Sequence, residues 1–506
     1  MLTGTMLTCS ARRFADKIAI VDAARELSYA ALDRAATCLA NYLVDHLQVR
    51  KGEKVAIMSR NRLEYGVVFF GAARSGAVLV NVSTMYGASD LAYVLDRSDA
   101  KVLIYDSQFA HLIASVKPKV AKLQTYIELP EPDREPDAFP ELIAAAGTHQ
   151  PRVSLSEDDP FCINYTGGTT GLPKGALVSH RARAITAHTA VIEEGLDERD
   201  VVCIITPMFH IAGLKLMFQA SMMIGATVVF GRKWSVLEFA DLCEQRGITA
   251  AFLVPTQIVG ILNEPGLDVA KLGSWRKLIV GGAPIANEVQ LALAQRLPQV
   301  AITQIYGQTE IGIVTSVRPW HLPAKLGSCG RPAYNVEVAV VDREGQPVLA
   351  GEIGEVVARG DNVMLGYYNE PEQTANFFRR GDGWGWTGDL ARVDADGFIT
   401  LVDRSNDMII CGGVNIYPKE IENVLYRHPA VAECAVFGIP DAKWGEVPAA
   451  FIRLATGATA TAEEIEQFCR EQTSAFKRPK LIEFVAEFPR TPVGKIQKNV
   501  LRQRFR

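Results

Sequence analysis

The stretch Tyr165-Thr-Gly-Gly-Thr-Thr-Gly-Leu-Pro-Lys-Gly175 decides how the rest of the chain is read. Apolar, β-prone residues 161–165 lead into it and residues 176–178 resume that character. Between them stand four glycines, three threonines, a proline and a lysine. Glycine lets backbone N–H groups close on an anion, threonine hydroxyls add rotatable donors, and Lys174 adds a point charge. These are the parts of a phosphate-holding loop. It is not a Walker A loop, because Lys174 follows Pro173 and no Ser or Thr comes next. A plain Gly/Thr hairpin has the same composition, so the surrounding chain must decide.

Working outward, strand and helix alternate on both sides. Upstream, residues 27–49 read as a helix with Ser28 as its cap, 54–58 as a strand, 64–75 as a helix, 77–80 as a strand, 90–96 as a helix and 100–105 as a strand. The Pro- and acid-rich residues 130–137 read as a surface loop. Downstream, strands at 200–205, 226–230, 250–254, 278–280 and 302–306 mostly run into small or polar loops, with helices at 235–246 and up to 297. Alternation of this kind predicts layered, parallel α/β structure, with binding loops at the carboxyl ends of the strands. From Val336 short β runs (336–341, 355–358, 398–402) predict a β subdomain, and residues after 409 read as α+β. The boundary falls in the charged stretch 403–407. The expected layout is a large N-terminal domain, residues 1–403, and a small mobile α+β C-terminal domain, residues 404–506.

A chain of 506 residues is too long for one ordinary core, and 48% hydrophobic with 22% charged residues fits a globular protein. A net charge of −4 gives no electrostatic reason to expect nucleic acid or an acidic membrane. The nine cysteines are scattered and lack CxxC spacing, so reduced, mostly buried thiols are expected. The eight histidines show no zinc-binding spacing. No signal peptide or bilayer-length apolar run is evident, and a cytoplasmic location is the expectation.

Four further stretches carry chemistry: Tyr306-Gly-Gln-Thr-Glu310, Trp386-Thr-Gly-Asp389, the run from Asp403-Arg404 through Cys411-Gly412-Gly413 to Glu422, and Pro489-Arg-Thr-Pro-Val-Gly-Lys495. In this order, together with the glycine loop, they resemble the motifs of the adenylate-forming superfamily, and in particular its bacterial acyl- and aryl-CoA ligases. The likeness runs from about Lys17 to the end of the chain. It implies a two-step reaction: carboxylate and ATP give acyl-AMP and pyrophosphate, then CoA takes the acyl group.

The resemblance also implies roles. Thr166, Gly168, Thr169, Thr170 and Lys174 would hold the β- and γ-phosphates, Glu310 would bind Mg2+, and Thr309 would touch the α-phosphate. Gly282, Ala283, Pro284 and Tyr306 would frame adenine, Gly307 would also line the nucleotide site, and Asp389 would accept from the ribose with Arg404 nearby. Lys495 would be the catalytic lysine, bridging the attacking carboxylate and the α-phosphate, and its ordinary pKa keeps it charged at neutral pH. In the second step the C-terminal domain would turn about Asn406 and present Gly412 and Gly413 to the thiol, with Trp444, Phe476, Arg478 and Lys480 on the CoA nucleotide. Gly167 replaces the usual Ser or Thr, and Asn406 the usual Asp or Lys.

The acyl pocket is expected to involve Met208, His210, Gly213, Met217, Ala283, Gly307, Ile311, Gly312 and Ile313. His210 reads either as a gate beside the carboxylate or as a satisfied core histidine. Most of these residues are apolar, which favours an aromatic, alicyclic or medium-chain acid. A dicarboxylate would want an arginine, and none can be placed in the pocket from sequence. The expected partners are the acid, ATP and CoA, with no nucleic acid, no stable membrane insertion, and a homodimer as the allowed oligomer. Two alternatives stay open: an acyl-AMP ligase loading a separate carrier protein, and a non-catalytic nucleotide- or acyl-binding regulator.

Overall fold

The computed structural model describes residues 1–131, 138–167, 172–404, 407–412, 414–490 and 496–505. The predicted loop at 130–137 therefore lies mostly outside the described residues. The chain divides into two compact units, one of residues 1–338 with 358–385 and the other of residues 339–357 with 386–506.

The first unit holds two large sheets. In the seven-stranded sheet Val78–Asn81 pairs in parallel with both Lys54–Met58 and Pro160–Gly167, and Ala100–Asp106 and Thr125–Leu129 extend the far side. In the nine-stranded sheet Val201–Ile204, Thr227–Phe230, Ala250–Leu253, Lys277–Val280 and Ala301–Gln308 all run parallel to one another. The expected parallel α/β layers are present.

The expected layering is incomplete in one respect. Both sheets end in antiparallel pairs: Pro160–Gly167 with Pro173–Ser179, Ala301–Gln308 with Gly312–Val317, and Ile18–Asp22 with Arg25–Ser28. Periodicity alone does not give strand direction. Short connections do, because a few residues can close a hairpin but cannot make the crossover a parallel pair needs.

Local signals place the helices. Ser28 Oγ accepts from the backbone N–H of Ala31 to cap Tyr29–Asn41, and Ser235 caps Val236–Arg246 in the same way. Core side chains Phe239, Trp275, Leu253 and Leu278 fill one face of the nine-stranded sheet, and Ala56, Val80, Leu103 and Ile163 lie in the core of the other. Burying such residues supplies most of the drive to fold, at about 25 cal/mol per Å² of apolar surface.

The second unit carries most of a four-stranded sheet (Glu337–Val341, Ile353–Arg359, Gly385–Val393, Ile399–Arg404) and a five-stranded sheet built on the long antiparallel pair Val431–Asp441 and Gly445–Leu454. Pro418–Leu425 packs on that pair, and Thr461 and Glu464 form a capping box for Ala462–Gln472. No disulfide joins the nine cysteines, most of which are buried. Among the described residues no helix is long and apolar enough to cross a membrane.

Candidate active site

The glycine-rich stretch is the tip of a hairpin. Thr166 pairs with Lys174 and Gly167 with Pro173, so the two strands stay paired up to the edge of the described residues. Gly168, Thr169 and Thr170 lie outside the described residues. Lys174 Nζ donates to Gln373 Oε1 at 2.7 Å and lies 5.7 Å from the centre of the Tyr367 ring. Tyr367 Oη donates to Glu310 Oε1 at 2.7 Å. Tyr367 holds this position because Gly366–Tyr367 adds a short strand to the hairpin, opposite Leu177 and Ala176. The backbone N–H of Met364 also donates to Glu310 O at 2.8 Å. The structure thus brings Lys174 and Glu310, 136 positions apart in sequence, to the two sides of one tyrosine.

Glu310 sits on the turn between Ala301–Gln308 and Gly312–Val317. A side chain at Gly307 would overlap the carbonyl oxygen of Gly312, and Gly312 has φ of +99°. Both positions therefore require glycine. Tyr306 lies on the strand adjacent to Lys277–Val280, which runs into exposed Gly282, Ala283 and Pro284. These predicted adenine residues leave neighbouring parallel strands at their carboxyl ends.

Two residues predicted for the acyl wall, Gly213 and Met217, lie on the wide helical turn Ala212–Gln219. Met208, Met217 and Ile311 are fully buried, and Ile313 nearly so. A Cβ at Gly213 would lie 2.6 Å from the carbonyl oxygens of Thr206 and Pro207, so the turn packs directly on the preceding loop. Two asparagines that sequence reading missed fix that loop. Asn61 Oδ1 accepts from Met208 N–H at 2.8 Å, and Asn164 Nδ2 donates to Phe209 O at 3.1 Å. His210 follows, its Nδ1 accepting from the Ala212 N–H at 3.3 Å.

Two buried cations were also missed. Lys215, 2% exposed, stands in the middle of this apolar turn, and its Nζ donates to Thr309 O at 3.3 Å. Burial, with Arg183 close by, lowers the Lys215 ammonium to about 7. Arg183, 1% exposed on the helix His180–Glu194, has its guanidinium lowered to about 10 by burial. A charged residue inside the run 211–218 was the available sequence signal for Lys215. Arg183 lies in an alanine-rich helix that gives none.

In the second unit Asp389 is buried and receives Arg404 Nε at 3.2 Å, on adjacent antiparallel strands. Gly412, with φ of +57°, sits at the tip of the Ile409–Cys411 and Val414–Ile416 hairpin. Its N–H donates to Trp444 O at 2.8 Å. The half-exposed Trp444 ring packs so closely that a Cβ on Gly412 would lie 2.7 Å from Trp444 Cε3. Phe476 is similarly exposed, Lys480 is exposed, and Arg478 donates to Arg470 O. Lys495, Asn406 and Gly413 lie outside the described residues. The flanks of Lys495 are nevertheless fixed: Arg490 bridges Ile496, Gln497 N–H donates to Pro489 O at 2.8 Å, and Lys498 Nζ pairs with buried Glu422 at 2.7 Å.

Comparison with known proteins agrees with this arrangement. The family model described as AMP-binding enzyme matches residues 7–368, and the AMP-binding enzyme C-terminal domain matches residues 420–495. A feruloyl-CoA synthase of Amycolatopsis sp is 36% identical over 95% of this chain and 94% of its own length. A fatty acid–[acyl-carrier-protein] ligase, ScoC of Streptomyces coeruleorubidus, is 34% identical over 96% of this chain and 93% of its own. The crystal structure of the anthranilate CoA ligase AuaEII with anthranoyl-AMP superimposes with a TM-score of 0.91 at 30% identity, covering 100% of this chain and 97% of that one. The chain belongs to the AMP-binding enzyme family, among its bacterial acyl- and aryl-CoA ligases.

Proposed function

We propose that this enzyme, an AMP-forming acid–CoA ligase that uses ATP and CoA, activates an acid with an apolar body: aromatic, alicyclic or medium-chain. In the first step a carboxylate oxygen attacks the α-phosphorus of ATP and the bond to the pyrophosphate oxygen breaks. In the second the CoA sulfur attacks the acyl carbon, AMP leaves, and the thiol proton passes to solvent. Between two anions the requirement is charge neutralisation and alignment. The carrying observation is the grouping of Lys174, Tyr367 and Glu310 beside the glycine hairpin.

The proposed roles follow from that grouping and from the family likeness. Thr166, Gly168, Thr169, Thr170 and Lys174 grip the leaving pyrophosphate, and Thr309 contacts the α-phosphate. Gly282, Ala283, Pro284 and Tyr306 frame adenine, and Asp389 with Arg404 receives the ribose. Lys495 neutralises the charge developing between the carboxylate and the phosphate. A segment beginning at Arg404 and turning about Asn406 exchanges Lys495 for Gly412 and Gly413 between steps, with Trp444, Phe476, Arg478 and Lys480 on the CoA nucleotide. His210 stands beside the reacting carboxylate.

Glu310 fits Mg2+. Mg2+ bound with a nucleotide takes one or two carboxylates and fills its shell with phosphate oxygens and water. Among the described residues no cluster of three or more metal-ligating side chains competes for that role. The ion would supply charge neutralisation at the phosphates. Tyr367 orients the carboxylate through Oε1.

Pyrophosphate release measured with a panel of carboxylic acids, with and without CoA, tests the reading. Acid-dependent pyrophosphate and acyl-CoA with apolar acids are expected. No AMP from any acid would overturn it, and transfer to a carrier protein but not to CoA would replace CoA as the acceptor.

A further inference from the structure

Arg183 and Lys215 sit where three elements of the acyl wall meet. Lys215 shares its turn with Gly213 and Met217, and its Nζ reaches Thr309 O, at the start of the loop that continues into Ile311–Ile313. Arg183 lies one turn before Thr186 on its helix, and Thr186 Oγ1 is the atom that a Cβ on Gly312 would meet at 2.9 Å. Arg183 is near enough to Lys215 to act on its charge, and Cys162 acts on both.

Neither cation forms an ion pair among the described residues. None of the three guanidinium nitrogens of Arg183 has a hydrogen-bond partner among the described residues. The face of Phe69 lies 5.2 Å from the guanidinium carbon, and the Cys162 thiol and Tyr65 hydroxyl are the polar groups that favour its charge, neither of them an anion at neutral pH. Lys215 donates to a single backbone carbonyl. Glu310, the nearest carboxylate acting on Lys215, already receives Tyr367. Buried charges persist when they are paired, and an unpaired one is costly to the fold. Two adjacent buried cations in an otherwise apolar wall have the composition of an anion receptor: an Arg fork for a carboxylate's two oxygens beside an ammonium point charge.

We propose that the acid activated here carries a second anionic group, in the simplest case a carboxylate, at the end remote from the reacting carboxyl, and that Arg183 and Lys215 receive it. This rests on the acid–CoA ligase reading and refines it. The body of the acid stays apolar, against Met208, Met217, Ile311 and Ile313, and its far end is charged. Arg183 supplies the arginine that sequence reading could not place. The preference arises in binding, since the remote anion takes no part in bond making.

The test compares aromatic and aliphatic diacids of graded length, each with its own monomethyl ester, by initial rates of pyrophosphate release. At least one diacid should exceed its ester at least tenfold in kcat/KM, mainly through KM. Lys215→Met should raise the KM of that diacid at least tenfold and reduce or invert the ratio. Wild-type enzyme that turns over every ester as well as its diacid overturns the proposal, whatever the variant does. An unchanged diacid-to-ester ratio in Lys215→Met also overturns it. Activation of no acid at all, diacid or monoacid, overturns the ligase reading itself and the proposal with it.

Discussion

The hydroxyl of Tyr367 donates to Glu310 Oε1 at 2.7 Å, while the face of the same ring lies under Lys174 Nζ at 5.7 Å. One aromatic side chain therefore sets the position of the carboxylate proposed for Mg2+ and of the cation proposed for the phosphates. Tyr367→Phe keeps the ring and removes only the donor. A hydrogen bond to a charged group contributes about 1.5–3 kcal/mol, so the KM for Mg-ATP should rise roughly tenfold or more. Initial rates against Mg-ATP check this, and an unchanged KM would show that Glu310 is held without the tyrosine.

The described residues on either side of Lys495 are tied together by the Arg490–Ile496 bridge and the Gln497-to-Pro489 hydrogen bond. Lys495→Ala should collapse adenylation by several orders of magnitude while thioester formation from supplied acyl-AMP largely survives. Lys498→Met, which removes the nearer of two lysines paired with Glu422, should lower adenylation by a smaller factor, about tenfold, and reduce stability through the less well paired buried carboxylate left behind. Equal loss of both half-reactions in Lys495→Ala would contradict separate machinery for the two steps.

Gly412→Ala should act on the other half-reaction. The new methyl would strain a residue with φ of +57° and press on Trp444. Thioester formation should fall at least tenfold with adenylation nearly unchanged, as read by single-turnover assays of each step. Trp444→Ala should raise the KM for CoA without a matching effect on ATP.

His180 predicts a pH dependence of stability. It is buried against Phe161, with ring centres 4.7 Å apart, and its Nδ1 accepts from Thr3 N–H. Burial, opposed by Asp159, holds it down to about 4. Between pH 6.5 and about 4 the unfolded chain takes a proton at His180 that the folded chain refuses. Stability therefore falls as pH drops through that window, by up to about 3 kcal/mol, and is fully retained above it. Urea unfolding of wild type and His180→Gln at pH 7 and pH 4.5 isolates the term: the variant should lose less on acidification. Parallel losses would remove His180 from the account.

Much of this was legible in the sequence because it is local. Ser28 and Ser235 announce their helices one residue ahead, and the parallel strands read as short apolar runs ending in glycine or polar loops. The glycine hairpin and the Glu310 turn announce themselves by composition. What was missed depends on contacts across long stretches of chain: Asn61 on Met208, Gln373 on Lys174, Tyr367 on Glu310. An asparagine or tyrosine looks the same in sequence whether it faces solvent or pins a loop 147 residues away. Arg183 was invisible for the opposite reason. Charged residues on helices usually face water, and only the packed structure shows this one turned inward.

The turn from Gly307 to Gly312 leaves no room for a side chain at either end, and between those ends it carries Thr309, Glu310 and Ile311. Residues with three different assignments, toward phosphate, metal and acyl group, thus share one inflexible backbone segment. A substitution at Ile311, the residue of this turn proposed for the acyl wall, acts on the backbone that also holds Glu310. Changes of substrate in this enzyme should therefore accumulate on the Ala212–Gln219 turn and the helix beginning at His180, where a side chain can be exchanged without moving the nucleotide's attachments.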